Sequence, residues 1–246
     1  MLLTTYTKTQ LKEGLALGMP IALGYISVSF AFGMMAAGGN LPIWSAVLIS
    51  MTNLTSAGQL AGTQLLIAGA PYIEIAMTTF VINIRYFLMS LSLSQKLRAD
   101  TGILKRMGMA IGITDEIFAV ASGRKEVTPA FMAGLIALPY LGWALGTLVG
   151  ATASYLLPQA LRDALGIAIY GMFLAIIVPP CRKSWSCLAV VLTAVVCSCL
   201  FHYMPLLCQV PAGWRIIICA VAAAGMGAIV FPIHPPDEKT EGEAAP

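Results

Sequence analysis

From Gly14 to Ala37 the chain carries no charged side chain, and this pattern recurs along its length. Apolar segments follow at 41–70, 72–94, 128–153, 164–180, 185–204 and 212–232. A helix needs about 20 apolar residues to cross a bilayer core. In lipid every backbone N–H and C=O must be satisfied inside the segment, so runs of this kind fold as helices. The chain is 59% hydrophobic and 10% charged, with a mean hydropathy of +0.85. Soluble domains have about 45–50% apolar and about 25% charged residues. The sequence therefore predicts an all-α, polytopic membrane helix bundle of about seven spans, six to eight. One transmembrane domain over 1–233 and a polar, Pro-rich, disordered tail over 234–246 are expected. A scattered net charge of +3 does not imply a nucleic-acid partner. The N-terminus does not read as a cleavable signal, because residues 4–10 are polar and the first apolar run is too long for a signal core.

Two segments depart from a plain span. About 30 residues of helix over 41–70 would reach about 45 Å, against a core of about 30 Å. Its middle, "TNLTSAGQ" (Thr52 to Gln59), is polar, and Gly58 and Gly62 lie in and just beyond it. A second helix broken near mid-membrane is predicted, with the open backbone covered by protein or a wet cavity. The stretch 107–123 is apolar but short and contains Asp115 and Glu116. It reads as re-entrant, interfacial or a buried half-span. If 41–70 crosses and 107–123 does not, the cytoplasmic side collects Lys96, Arg98, Lys105, Arg106, Arg124, Lys125, Arg182, Lys183 and Lys239. Lys8, Lys12, Arg162 and Arg215 then lie opposite, and the positive-inside rule gives N-out, C-in. The order of segments is also compatible with an inverted repeat.

The third segment carries the charge that most needs explaining. On a 3.6-residue helix Glu74, Thr78, Arg85 and Ser92 share one face, and Thr79, Asn83, Tyr86 and Ser90 another. A helix polar on two sides belongs at the centre of a bundle. Arginine at the bilayer centre costs at least about 2.5–3.5 kcal/mol, and both interfaces are too far for snorkelling. Its fork of donors suits a carboxylate, from the protein or from a ligand. Glu74 lies about 16 Å away along the axis, out of direct reach. Asp115 or Glu116 can pair with Arg85 if 107–123 folds back. Such a pair either fixes packing alone or handles substrate and protons.

Asn53, Thr55, Ser56 and Gln59 either bond between helices or offer amides and opened backbone to a polar ligand. Half-helix N-termini favour an anionic group such as an amino acid carboxylate. The candidate substrate-binding residues are Asn53, Ser56, Gln59, Asn83 and Arg85, and the candidate coupling or ion-pair residues are Arg85, Asp115, Glu116 and Glu74. The six cysteines, Cys181, Cys187, Cys197, Cys199, Cys208 and Cys219, read as small apolar packing residues, with no metal-ligand spacing. Trp44, Trp143, Trp185 and Trp214 read as interfacial anchors, and His202 and His234 as solvated or interfacial groups. Neither a P-loop nor an intramembrane hydrolase motif is present, so neither ATP use nor enzyme chemistry is expected of this chain. A secondary transporter fits best. A channel, a permease for another small solute, an intramembrane enzyme and a scaffold subunit are the alternatives, and a scaffold would not need a buried arginine.

Four stretches resemble the AzlC-like (azaleucine-resistance) branched-chain amino acid permeases. They are "GMPIALGYISVSFAFG", "SAGQLAGTQLLIAGA", "TTFVINIRYFLMSLSLS" and "GITDEIFAV", in family order over most of 14–122. "TNLTS" departs from the usual pattern before the Gly–Gln, and Tyr86 stands where the family often has histidine. The resemblance implies an exporter of branched-chain amino acids, without cofactor, in the cytoplasmic membrane. It also implies a small hydrophobic AzlD-like partner subunit. The motif positions it carries over are Gln59, Asn83, Arg85, Asp115 and Glu116.

Overall fold

The computed structural model describes residues 2–98 and 101–232. The chain is an all-α, polytopic membrane bundle. Its helices are α1 (Leu2–Gly38), α2 (Ile43–Thr52), α3 (Ala57–Ile67), α4 (Tyr72–Ser94), α5 (Ile103–Ile111), α6 (Asp115–Ser122), α7 (Pro129–Ala153), α8 (Gln159–Lys183), α9 (Trp185–Tyr203) and α10 (Ala212–Val230). Among the described residues, five helices are long and apolar enough to cross a membrane: α1, α4, α7, α9 and α10. The chain divides into two compact units, Met1–Ala175 and Ile176–Pro246. The predicted tail over 234–246, with His234 and Lys239, lies outside the described residues.

The first unit is organised on α1 and α7, which run side by side in the same direction. Gly14 abuts Phe131 and Leu135, Gly142 abuts Ala22, Gly146 abuts Ile26 and Ser29, and Gly33 abuts Thr147 and Ala151. Positions rise together on both helices, so the packing is parallel. A methyl group at Gly14, Gly33, Gly134, Gly146 or Gly150 would strike the other helix. The small residues let the two backbones approach closely along most of their length. Thr128 starts α7 by accepting from Phe131 N at 3.2 Å, with Pro129 at the first helical position.

The 41–70 segment is two half-length helices that turn back, and this accounts for its excess length. α2 leaves the end of the bundle where α1 stops. Residues 53–56 are non-helical, with Ser56 at φ 53. α3 then runs antiparallel to α4: Gly58 lies against Asn83, and Gly62 against Thr79 and Ile75. Its last residue, Ile67, reaches Gly39 at the end of α1. The same turn occurs twice here. Asn40 (φ 63) ends α1 with Leu41 N bonded to Ala36 O, and Gly69 (φ 71) ends α3 with Ala70 N bonded to Leu65 O. A left-handed residue closes each helix. Pro42 and Pro71 then start α2 and α4.

The 107–123 segment returns as well, from the opposite end. Ser90, Leu93, Ser94 and Leu97 of α4 and its end share a cleft with Arg106, Met109, Ala110 and Ile113. The chain bends at Gly112–Thr114, where Gly112 meets Ile136 of α7. α6 runs back to the end of α4: Lys96 Nζ donates to Ser122 O, and Val127 N to Lys96 O at 3.0 Å. Ile113, Ile117 and Ala121 pack with Leu93, Phe131, Met132 and Leu135 into one buried cluster.

Arg124 Nη1 pairs with Glu13 Oε1 at 2.6 Å, and Arg124 Nη2 donates to Gln10 Oε1 at 3.2 Å. The start of α1 therefore lies at the same end as the basic 96–125 region. This corrects the charge count drawn from sequence, which put Lys8 and Lys12 opposite that region. The physical reason is that 41–70 does not carry the chain across the bundle. In the second unit α9 and α10 pack antiparallel, with Gly227 against Val190. Single cysteines placed at Lys8 and at Lys125 in a cysteine-free background should label from the same side of intact membranes. Labelling from opposite sides would overturn the returning path of α2 and α3.

Candidate functional site

The bends of both returning pairs converge on α4 at Arg85. Arg85 Nη2 lies 2.9 Å from Asp115 Oδ2, the first residue of α6. It also donates to Tyr86 Oη at 3.1 Å, and Tyr86 Oη donates to Thr55 O at 3.2 Å. One guanidinium thus joins the bend after α5 to the bend after α2. Arg85 Nε is buried with no partner. A buried guanidinium donor without an acceptor is uncommon and asks for an explanation. Arg85 and Asp115 side chains are 40% and 35% exposed, so the pair borders open space rather than packed core.

The local structure of α6 places its carboxylates. Thr114 caps the helix, its Oγ1 accepting from Ile117 N at 3.3 Å. Asp115 and Glu116 occupy the first turn, where the helix dipole favours negative charge. Tyr25 of α1, buried, holds its hydroxyl 2.5 Å from Glu116 Oε2 and 2.6 Å from Thr114 Oγ1. An ionised carboxylate only accepts, so the tyrosine proton points to Glu116. Glu116 is exposed on its other side. Tyr25 also meets Trp143 edge-on, with ring centroids 5.0 Å apart, and Leu54 packs with both. An apolar, aromatic wall therefore stands beside the polar groups.

Gln59 sits apart from Arg85 in a closed ring. Trp143 Nε1 donates to Gln59 Oε1 at 2.9 Å, and Gln59 Nε2 donates to Ser50 Oγ at 2.7 Å. Ser50 Oγ lies 2.7 Å from Thr147 Oγ1, and Thr147 Oγ1 donates to Trp143 O at 3.0 Å. The threonine proton is committed to a carbonyl, so the serine supplies the hydrogen between the two hydroxyls. All four side chains are buried. The ring ties α2 and α3 to α7. It also corrects the reading of Trp143 as an interfacial anchor: this indole is 3% exposed in the middle of α7.

The remaining predicted residues fall as follows. Asn53 Oδ1 accepts from Thr55 Oγ1 at 2.6 Å within the first bend. Ser56 begins α3, and its carbonyl accepts from Leu60 N. Asn83 lies against Gly58, its Oδ1 buried with no hydrogen-bond partner. Asn83 and Arg85 thus face different neighbours, α3 and α6, as the helical projection indicates. Glu74 is buried in the first turn of α4, remote from the bends. Sequence reasoning missed Tyr25, Ser50, Trp143 and Thr147. Single hydroxyls and an indole inside apolar helices were the available signal, but hydropathy does not separate them from packing residues.

Comparison with known proteins covers this region. The family model described as AzlC protein matches residues 20–157, more than half of the chain and all of both bends. The chain is 28% identical over 182 residues to the inner membrane protein YgaZ of Escherichia coli, covering 71% of this chain and 74% of that one. It is also 28% identical over 170 residues to an uncharacterized membrane protein of Archaeoglobus fulgidus, covering 68% and 74%. No solved structure matches.

Gln59→Leu should lower stability by about 1–3 kcal/mol, because it strands the Trp143 N–H in the core. Thermal denaturation in detergent would measure this. Adding Trp143→Phe should recover part of the loss, since both partners are then apolar; a purely additive double variant would show that the ring is not coupled.

Proposed function

The chain belongs to the AzlC family of membrane transporters, and from that premise we propose that it exports branched-chain amino acids (valine, leucine, isoleucine or analogues) across the cytoplasmic membrane, coupled to protons. The observation that carries this reading is Arg85, held where two helix bends converge and left with a buried, unpartnered Nε. A substrate α-carboxylate is the acceptor such a guanidinium suits best. The positive N-terminal ends of α3 and α6 lie at the same bends and favour the same charge. Leu54, Tyr25 and Trp143 offer an apolar surface for a branched side chain beside it.

In this reading α2/α3 and α5/α6 are re-entrant hairpins that enter the membrane from opposite faces. Their opposed entry supports an inverted relation between the two parts of the first unit. Non-helical backbone is acceptable at that depth where protein covers it, as Tyr86 and Leu54 do at the first bend. Lys8, Lys12, Lys96, Arg98, Lys105, Arg106, Arg124 and Lys125 share one end, while residues 38–71 at the other carry no charge. The positive-inside rule then puts the N-terminus in the cytoplasm. Asn53, Ser56 and Asn83 line or shape the approach from the first hairpin, and Gln59 holds that hairpin to α7. Asp115 and Glu116 handle charge exchange with Arg85, and Glu74 marks the outer end of the same α4 face. A small hydrophobic AzlD-like subunit completes the transporter, as the family resemblance implies.

Arg85→Ala should abolish export from cells preloaded with leucine while the protein stays in the membrane, and Arg85→Lys should restore little, because lysine lacks the planar fork. Export at wild-type level in Arg85→Ala would remove the site from Arg85. In proteoliposomes, collapsing the pH gradient should stop net leucine flux; unchanged flux would exclude proton coupling.

A further inference from the structure

We propose that Cys181 and Cys187 form a dithiol site that reacts with small-molecule disulfides and closes to a reversible disulfide bond at the turn between α8 and α9. Hydropathy suggests a packing role for all six cysteines, but these two differ in what they face. Their Sγ atoms lie 3.8 Å apart, as free thiols in contact. A disulfide holds its sulfurs about 2.05 Å apart, so the remaining gap of about 1.8 Å is within the swing of two side chains. Both residues belong to the second unit. Cys181 lies in the last turn of α8, and Cys187 in the first turn of α9. The backbone between them is held in place. Ser184 N donates to Pro180 O at 3.0 Å, Cys187 N to Ser184 Oγ at 3.3 Å, and Leu188 N to Ser184 O at 3.1 Å. The turn itself therefore brings the two thiols together.

The pair is also reachable from water. Arg182 and Lys183 follow Cys181 directly, and such charges sit at the membrane surface rather than within it. Both thiols are half-buried, and Trp185 between them is exposed, as an interfacial indole is. The positive-inside rule puts this turn on the cytoplasmic face. Thiols there are kept reduced, and disulfides are transient. The co-reactant is a small disulfide, RSSR, such as oxidised glutathione. One cysteine thiolate attacks a sulfur of RSSR, breaks its S–S bond and releases one thiolate, leaving a mixed disulfide. The second cysteine thiolate attacks the protein sulfur of that mixed disulfide and releases the other. The two protons of the cysteines end on the two released thiols. The protein pair is oxidised by two electrons and RSSR is reduced by two. Because the second step is intramolecular, the mixed disulfide does not persist. The bond ties the end of α8 to the start of α9.

Oxidised glutathione added to the purified full-length chain in detergent at mildly alkaline pH, followed by acid quenching and peptide mass mapping, tests this. Cys208 serves as the single-thiol reference, being exposed with its Sγ donating to Pro205 O at 3.2 Å. In the wild type Cys208 should carry glutathione. The peptides of Cys181 and Cys187 should instead be joined, two hydrogen atoms lighter, with no glutathione retained. Excess reduced glutathione should return both thiols. Cys181→Ser and Cys187→Ser should each lose the link, and at least one of them should keep glutathione on the remaining cysteine, because the resolving thiol is gone. Several outcomes would overturn the proposal: glutathione retained on Cys181 or Cys187 of the wild type, both thiols unmodified where Cys208 has reacted, a link from either one to another cysteine, or a bond that reduced glutathione does not open. The wild-type map decides by itself if either serine variant fails to fold.

Discussion

Two helices that lie parallel and in backbone contact leave the chain between them few choices. α1 and α7 touch through Gly14, Gly33, Gly134, Gly142, Gly146 and Gly150. To start α7 at the end where α1 started, the intervening chain must make an odd number of passes. α4 makes one. The two remaining segments turn back on themselves, one from each end, and this is where the non-helical backbone arises. The close packing needs the absence of Cβ atoms, and dispersion along so long a contact holds the pair without a hydrophobic drive between helices.

The polar contacts around Arg85 serve the two bends. Freed backbone groups in a membrane cost several kcal/mol each if left unmet. Thr55 O is met by Tyr86, and Thr114 caps α6. The arginine on α4 is tolerated because Asp115 faces it at 2.9 Å. Such an ion pair is weak evidence for stability in itself, since desolvation offsets much of the attraction. Its partial exposure and its unpartnered Nε fit a group kept for exchange rather than for cohesion.

Much of the candidate site was legible in residue chemistry. Arg85 and the two carboxylates after it stand out because charge is expensive in an apolar chain, and the sequence therefore keeps only what has a partner. The excess length of 41–70 and its polar middle announced an interruption. What hydropathy cannot convey is direction. A broken segment that crosses and one that returns have the same composition, so Lys8 and Lys12 were assigned to the wrong end of the bundle. Trp143 was misread for a similar reason: an indole is amphipathic, and only the position of Gln59 opposite it distinguishes a buried donor from an interfacial anchor.

The ring of Trp143, Gln59, Ser50 and Thr147 has one more consequence. Each donor in it is committed to the next acceptor, and the last hydrogen ends on a carbonyl. An amide and an indole do not pass protons on, as a file of water or of carboxylic acids would. The ring therefore breaks any proton wire along the inner edge of the first bend. It makes that edge an insulator.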